Sequence, residues 1–169
     1  FTQDLAGGNA QRLEVGAFFS TSAIAWSPNG RSLAYSRFGK ERRGIFLFDL
    51  TTERERLVLA AESDAPGVVA FSPAGDALLY YLDHENGADL FLLRLADSRS
   101  ERLTNFGRHY YASWSADGGF LLTTSAQDAE GRRYDIRCRS IDGAIDVPVI
   151  DDANDARAAA WRPRGTRGE

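Results

Sequence analysis

Short apolar runs alternate with turn-forming residues along the whole chain. The runs are rich in Val, Ile, Leu, Phe and Tyr, and clusters of Gly, Pro, Ser, Asn or Asp separate them. Apolar runs of about four to eight residues between such clusters predict β-strands, because helices usually need ten residues or more. The pattern therefore indicates an all-β protein.

The same arrangement of strands and turns recurs along the chain. "AIAWSPNGRSLAYSRF" at 23–38 returns as "VVAFSPAGDALLYYLD" at 68–83, as "YASWSADGGFLLTTSA" at 111–126, and in broken form as "AAAWRPRG" at 158–165. The aromatic residues that anchor the copies are separated by 45, 43 and 47 residues: Trp26, Phe71, Trp114 and Trp161. An internal repeat of this length is typical of a β-propeller, whose blades have four strands each.

The repeats divide the chain into one β-propeller segment, 1–169, with about three and a half blades. The predicted units are 1–15, 23–60, 68–106, 111–150 and 157–165. In this interpretation the chain begins at the third strand of a blade and ends after the first strand of a fifth unit. Two explanations remain open: the chain is part of a six- or seven-bladed propeller, or two copies pair their open edges, because unpaired edges invite association.

Two kinds of strand can be distinguished by their polarity. "IFLFDL" at 45–50 and "LFLLRL" at 90–95 are apolar on both faces, as expected for strands between neighbouring blades. By contrast "YDIRCR" at 134–139 alternates, with Asp135, Arg137 and Arg139 on one face. This alternation predicts a wetter outer face on the last complete blade.

The repeated "AWSPNG", "AFSPAG" and "SWSADG" elements resemble the repeats of TolB-like β-propellers, the WD40-like PD40 family. The resemblance extends over essentially the whole chain, although the usual proline two residues before the aromatic is replaced by Ile24, Val69, Ala112 and Ala159. It implies a bacterial, non-enzymatic scaffold of the periplasm that binds protein or peptide partners. Similar repeats occur in the propellers of prolyl-oligopeptidase-like and dipeptidyl-peptidase-like serine peptidases, and in sensor domains of membrane-bound transcriptional regulators. Those two classes are the alternatives, and a cytoplasmic location is the alternative to the periplasm.

Charge and composition exclude several other functions. The 169 residues carry a net charge of −4, which gives no electrostatic basis for binding nucleic acid. No apolar run approaches the roughly 20 residues that a membrane-spanning helix needs, so direct membrane insertion is not expected. The sole cysteine, Cys138, cannot form a disulfide within the chain.

The residues that resemble catalytic motifs are better explained by structure. In the aromatic-Ser-Pro-x-Gly element, proline and glycine supply the backbone angles of a tight turn while the aromatic packs between blades. "SADGG" at 115–119 begins like a sialidase Asp box, but Phe120 and Leu121 follow where a tryptophan is required. The chain has no Gly-x-Ser-x-Gly nucleophile motif. We therefore predict no enzymatic activity.

The candidate binding residues lie in loops that blade topology brings to one rim of the propeller. They are Arg108, His109, Tyr110 and Tyr111 in a loop that joins two blades, Arg42 and Arg43 in a basic hairpin tip, and His84 in another loop. Tyr and Arg are enriched at interaction hot spots, so this rim is the predicted partner-binding surface. A metal site from His84, His109 and a carboxylate is geometrically conceivable, but solvated histidines are the simpler interpretation, and no metal or cofactor is predicted.

Overall fold

The computed structural model describes residues 24–38, 42–62, 66–85, 87–105, 111–126, 134–150 and 160–161. Within these residues the chain forms twelve strands in three four-stranded sheets. The predicted unit 1–15 lies outside the described residues, as does 157–165 apart from Ala160 and Trp161. Each sheet is an antiparallel meander in which every strand pairs with its neighbour in sequence. The predicted all-β class is confirmed, and the three sheets are blades of a partial β-propeller.

The strands follow the apolar runs of the repeats. The first blade comprises β1 (Ile24–Trp26), β2 (Ser32–Phe38), β3 (Arg43–Asp49) and β4 (Arg54–Ala60). The second comprises β5 (Gly67–Phe71), β6 (Ala77–His84), β7 (Gly87–Arg94) and β8 (Ser100–Arg102). The third comprises β9 (Ala112–Trp114), β10 (Phe120–Ala126), β11 (Tyr134–Ser140) and β12 (Asp146–Ile150).

A hydroxyl group closes the first turn of each blade. The Oγ atom of Ser27 accepts a hydrogen bond from the Ser32 amide at 2.9 Å and donates one to Asn29 Oδ1 at 2.8 Å. Ser115 makes the equivalent two bonds in the third blade, and Ser72 in the second accepts one from the Ala77 amide but donates to Asp76, four residues on. The glycine of each turn has a positive φ, which costs glycine little because it has no Cβ. The motif is therefore a tight turn, as the sequence predicts.

These turns also contact one another from blade to blade. A Cβ atom at Gly75 would lie 3.5 Å from the ring of Pro28, and one at Gly118 would lie 3.7 Å from the ring of Pro73. The prolines of the first two turns thus rest beside the glycine of the next turn. The contact gives a packing reason for the proline in the first two turns and for the glycine that follows in the next turn.

Apolar side chains fill the junction between the first two blades. Ala34, Ile45 and Leu47 of the first blade pack against residues of the second blade that include Leu78 and Leu93. Both faces of β3 are buried, as predicted for strands held between blades. A similar cluster joins the second and third blades through Leu79, Leu92 and Leu121.

The repeated aromatic residue packs between blades in the described junctions. Phe71 is only 8% exposed in the first junction, Trp114 packs into the second, and Trp161 donates a hydrogen bond to the Ser113 carbonyl at 2.8 Å. Trp26 is different, since it is 52% exposed. Its side of the first blade has no other described blade against it, which is the physical reason for the difference.

The third blade corrects the prediction of a wetter outer face. Asp135, Arg137 and Arg139 do share one face, but it is the face of Leu121, which packs against the second blade. Arg139 donates a hydrogen bond across the junction to the Leu103 carbonyl, and Asp135 is almost completely buried. Alternation along a strand shows that its two faces differ in polarity, whereas topology decides which face meets a neighbour.

Candidate functional site

The predicted rim is described only in part. Arg108, His109 and Tyr110 lie outside the described residues, while Tyr111, His84, Arg42 and Arg43 lie within them. Tyr111 immediately precedes β9, and its carbonyl accepts a hydrogen bond from the Thr124 amide at 3.2 Å. It therefore lies at the end of the third blade where β10 finishes. Its side chain is 61% exposed, as a residue that contacts a partner should be.

Arg42 and Arg43 lie at the corresponding end of the first blade. Both are exposed, and Arg43 is the first residue of β3 rather than part of the hairpin tip. The Arg43 carbonyl accepts a hydrogen bond from the Ala61 amide at 3.1 Å, which fixes the backbone. Next to it, Gly44 has a φ of 140°, and a Cβ there would lie 1.9 Å from the Leu59 carbonyl oxygen. The glycine thus lets β3 and β4 approach closely where the two arginines begin.

The structure corrects the prediction that His84 lies in a loop. His84 is the last residue of β6 and pairs with Gly87, so only Glu85 and Asn86 separate the two strands. Gly87 has a φ of 148°, a backbone angle that side-chain-bearing residues rarely adopt. The glycine at this position permits a shorter connection between β6 and β7 than the run of polar residues in the sequence suggests.

His84 belongs to a buried carboxylate cluster that the sequence analysis missed. Its Nε2 atom lies 3.1 Å from Asp89 Oδ2, and Asp89 is only 1% exposed. Arg102 donates a hydrogen bond to the same oxygen, and the Thr104 hydroxyl donates one to Oδ1 at 2.9 Å. An acidic residue inside the apolar strand "ADLFLLRL" is the signal that could have found this cluster, because a buried carboxylate requires partners.

The partners of Asp89 determine its charge. Burial would raise the pKa of this carboxyl, but hydrogen bonds from Arg102 and Thr104 and the charges of Arg102 and His84 outweigh it. The pKa of Asp89 therefore lies below its ordinary value, and the group is ionised at neutral pH. A carboxylate that accepts hydrogen bonds from Arg102 and Thr104 and contacts His84 stabilises the blade and positions His84.

A second unnoticed feature is a fourth copy of the serine turn. Ser140 Oγ accepts a hydrogen bond from the Ile145 amide at 2.9 Å and donates one to Asp142 Oδ1 at 2.6 Å. This turn joins β11 to β12, so "SIDG" at 140–143 repeats the chemistry of "SADG" at 115–118 in another turn of the same blade. The motif thus also occurs in a turn between the third and fourth strands of a blade. This supports the interpretation that the motif forms a tight turn and is not a binding site.

The described residues include neither a metal-ligand cluster nor a membrane-spanning helix. No group of three or more His, Cys, Asp or Glu side chains within this part of the chain is arranged to hold a metal ion. The same residues contain no helix long and apolar enough to cross a membrane. The pairing of His84 with Asp89 shows what this histidine does contact.

The blades, their serine turns and their aromatic anchors define a β-propeller segment of the repeat type. The family model described as PD40, TolB beta propeller domain, matches residues 2–167, and the chain belongs to that family. The resemblance noted in the sequence is thus confirmed.

Known proteins similar to the chain agree with this assignment. It is 28% identical over 104 residues to the Tol-Pal system protein TolB of Gluconobacter oxydans, an alignment that covers 60% of the chain and 22% of that protein. The solved structure of a putative TolB from Agrobacterium tumefaciens is similar with a TM-score of 0.66 at 17% identity, over 80% of this chain and 50% of that one. An oligogalacturonate lyase solved in complex with manganese is similar with a TM-score of 0.56 at 14% identity, over 75% of this chain and 38% of that one.

The two structural likenesses show the fold alone. The chain spans about a fifth of the curated relative and half or less of the two solved chains. Because one of these similar structures is an enzyme, the propeller fold by itself does not decide whether a chain is catalytic.

Proposed function

We propose that the chain is a non-enzymatic propeller segment that binds a protein or peptide partner through its loop rim, in the periplasm of a bacterial cell. Its membership of the TolB propeller family carries this proposal, since a relative is named as a component of the Tol-Pal system. The same membership favours the scaffold over a peptidase propeller or a regulator's sensor domain. The exposed Tyr111, with Arg42 and Arg43, is the described part of the proposed surface.

The chemistry of these residues suits a protein partner. An exposed tyrosine offers a large apolar ring and a hydroxyl at low entropic cost, and arginine offers up to five donors in a planar fork. Both residue types are enriched at hot spots of protein interfaces. Arg108, His109 and Tyr110 extend the proposed surface in sequence, directly before Tyr111.

A capture experiment with matched variants tests the proposal. The chain is immobilised, exposed to a bacterial envelope extract, and the bound proteins are quantified by mass spectrometry. One variant combines Tyr111→Ala with Arg42→Ser and Arg43→Ser, and a control combines Arg31→Ser with Arg99→Ser at the opposite ends of the strands. We expect a specific partner to bind the parent chain and the control and to be lost from the rim variant. Equal capture by both variants, or no specific capture, would contradict the rim proposal.

We further propose that two copies pair through the exposed apolar side chains of their outer described blades. Ile24 and Trp26 are exposed on the first blade, and Val147 and Ile150 are exposed on the third. These side chains belong to sheet faces of the kind that bury apolar residues in the internal junctions. Sedimentation velocity at several concentrations tests the pairing: a dimer that Trp26→Ser weakens is expected, and a monomer at every concentration would refute it.

A further inference from the structure

Two clefts lie in successive blade junctions, on the rim that carries the serine turns; two such turns line the first cleft, and the β11–β12 turn lines the second. The first junction has a cleft of about 660 Å³, and the second has one of about 180 Å³. Each cleft lies between the fourth strand of one blade and the turn that joins the third and fourth strands of the next blade. Arg56, which pairs with Leu47, lines the first cleft, and Glu101, which pairs with Leu92, lines the second. One structural position thus has opposite charges in the two junctions.

An arginine explains why the second cleft is small. Arg139 lines it, reaches across the junction to the Leu103 carbonyl, and also pairs with Asp146. In the second blade the equivalent residue is Leu93, because Leu93 pairs with Leu78 as Arg139 pairs with Leu121. Leu93 is completely buried in the apolar core and cannot bridge the junction. The first cleft therefore lacks the link that narrows the second.

The open cleft has the composition of a binding groove. Its apolar lining comes from Leu47, Phe71 and Leu95, with Pro28 and Pro73 from the two serine turns. Its volume falls within the range of roughly 300–1,000 Å³ that is usual for ligand pockets, whereas the closed cleft falls below it. Proline and aromatic side chains form rigid apolar surfaces of the kind that hold extended peptides.

The positive charge of Arg56 at this cleft favours a ligand that carries a carboxylate. Arg56 is exposed, and among the described residues no hydrogen bond or ion pair engages its guanidinium group, so a ligand carboxylate can replace water there without breaking a contact. Asp76 also lines the cleft, and its Oδ1 atom accepts a hydrogen bond from Ser72 at 2.7 Å. Its carboxylate is positioned to accept a backbone amide of a peptide as well.

We propose that the cleft between the first and second blades binds an extended peptide segment in which an apolar side chain precedes an aspartate or glutamate. The apolar side chain packs on Phe71 and Leu95, and the carboxylate pairs with Arg56. The site lies on the rim opposite Tyr111, so it is separate from the surface proposed above and does not depend on it.

The test uses one defined peptide and two matched controls. The probe is acetyl-Ala-Leu-Glu-Ala-amide, and the controls replace its Leu with Ser or its Glu with Lys. Each is titrated into the ¹⁵N-labelled chain, and backbone amide shifts are followed by NMR. We expect the probe to shift Gly75, Leu95 and Ala96, and each control peptide to bind more weakly by about tenfold, the loss expected when an apolar contact or a charge pair is removed.

Two variants of the protein complete the experiment, and each replaces one arginine by glutamate so that the net charge changes equally. Arg56→Glu is expected to weaken the probe by about tenfold and to favour the Lys peptide, because the charge at the cleft is reversed. Arg99→Glu, an exposed change at a residue that does not line the cleft, should weaken the probe clearly less than Arg56→Glu does. Because Arg56 is exposed, its replacement leaves the core intact. No shifts at the cleft, equal binding of the Ser peptide, or an unchanged affinity in Arg56→Glu would each overturn the proposal.

Discussion

Replacement of Asp89 by asparagine should destabilise the second blade and remove part of its acid sensitivity. The carboxylate is buried and accepts hydrogen bonds from Arg102 and Thr104 beside the His84 ring. Asparagine keeps an oxygen for Thr104 but loses the charge that holds Arg102. A hydrogen bond to a charged group contributes about 1.5–3 kcal/mol. Since the Arg102 side chain is 41% exposed and can regain water, we expect a loss near the lower end, about 2 kcal/mol.

The lowered pKa of Asp89 determines how the stability difference between the parent chain and Asp89→Asn changes with pH. The folded-state pKa of Asp89 is lowered, so the stabilisation is complete above the unfolded value of roughly 3.9 and is lost as the pH falls through the folded value. The difference between the parent chain and Asp89→Asn should therefore be constant from neutral pH to about pH 5 and shrink below about pH 4. A difference that grows on acidification would contradict the assigned charge.

Urea denaturation followed by tryptophan fluorescence, repeated across this pH range, measures the free energy of unfolding. Asp97→Asn is the control, because Asp97 is exposed and its carboxylate accepts a hydrogen bond from the Arg99 amide within its own turn. We expect the control to change stability by less than about 0.5 kcal/mol. A loss in Asp89→Asn no larger than in the control would refute the reasoning that the cluster stabilises the blade.

Four further substitutions test other parts of the fold by the same unfolding measurement. Phe71→Ala should cost about 3–5 kcal/mol and the half-exposed Trp26→Ala only about 1–2 kcal/mol, so equal losses would show that Trp26 is covered. Thr123→Val should stabilise by about 1 kcal/mol, because the buried Thr123 hydroxyl has no hydrogen-bond partner among the described residues; a loss would reveal a partner. Gly44→Ala should prevent β3 from approaching the Leu59 carbonyl and cost at least about 3 kcal/mol, and a stable variant would refute that close approach.

Local sequence patterns predict the blades well because each signal has a local cause. A serine that accepts a hydrogen bond five residues along and a glycine with positive φ form the turn without help from distant residues. The apolar character of β3 on both faces likewise indicates two neighbours. These features are sufficient to place the strands, and the family assignment follows from their repetition.

The features that the sequence analysis missed depend on contacts between distant segments. In the sequence His84 resembles a loop residue, but Gly87 shortens the hairpin so that His84 ends β6. The role of Asp89 is evident only when its donors Arg102 and Thr104 are known. Arg139 looks solvated in an alternating strand, yet topology turns it toward the second blade. In each case the residue type was visible, but its partner was determined by the packing of strands that are separated in sequence.

The contact between Pro28 and Gly75, repeated by Pro73 and Gly118, has a consequence for how such chains change in length. The first and second turns each contribute a proline to the turn after them, and the second and third turns each contribute a glycine to the turn before them, whereas the third turn has Ala116 in place of the proline. Duplication or loss of the second unit, which carries both Pro73 and Gly75, therefore joins a proline to a glycine again and leaves neither without its counterpart. Tandem copying of such a unit preserves this interface, so the number of blades can change without exposing a new surface at the turns.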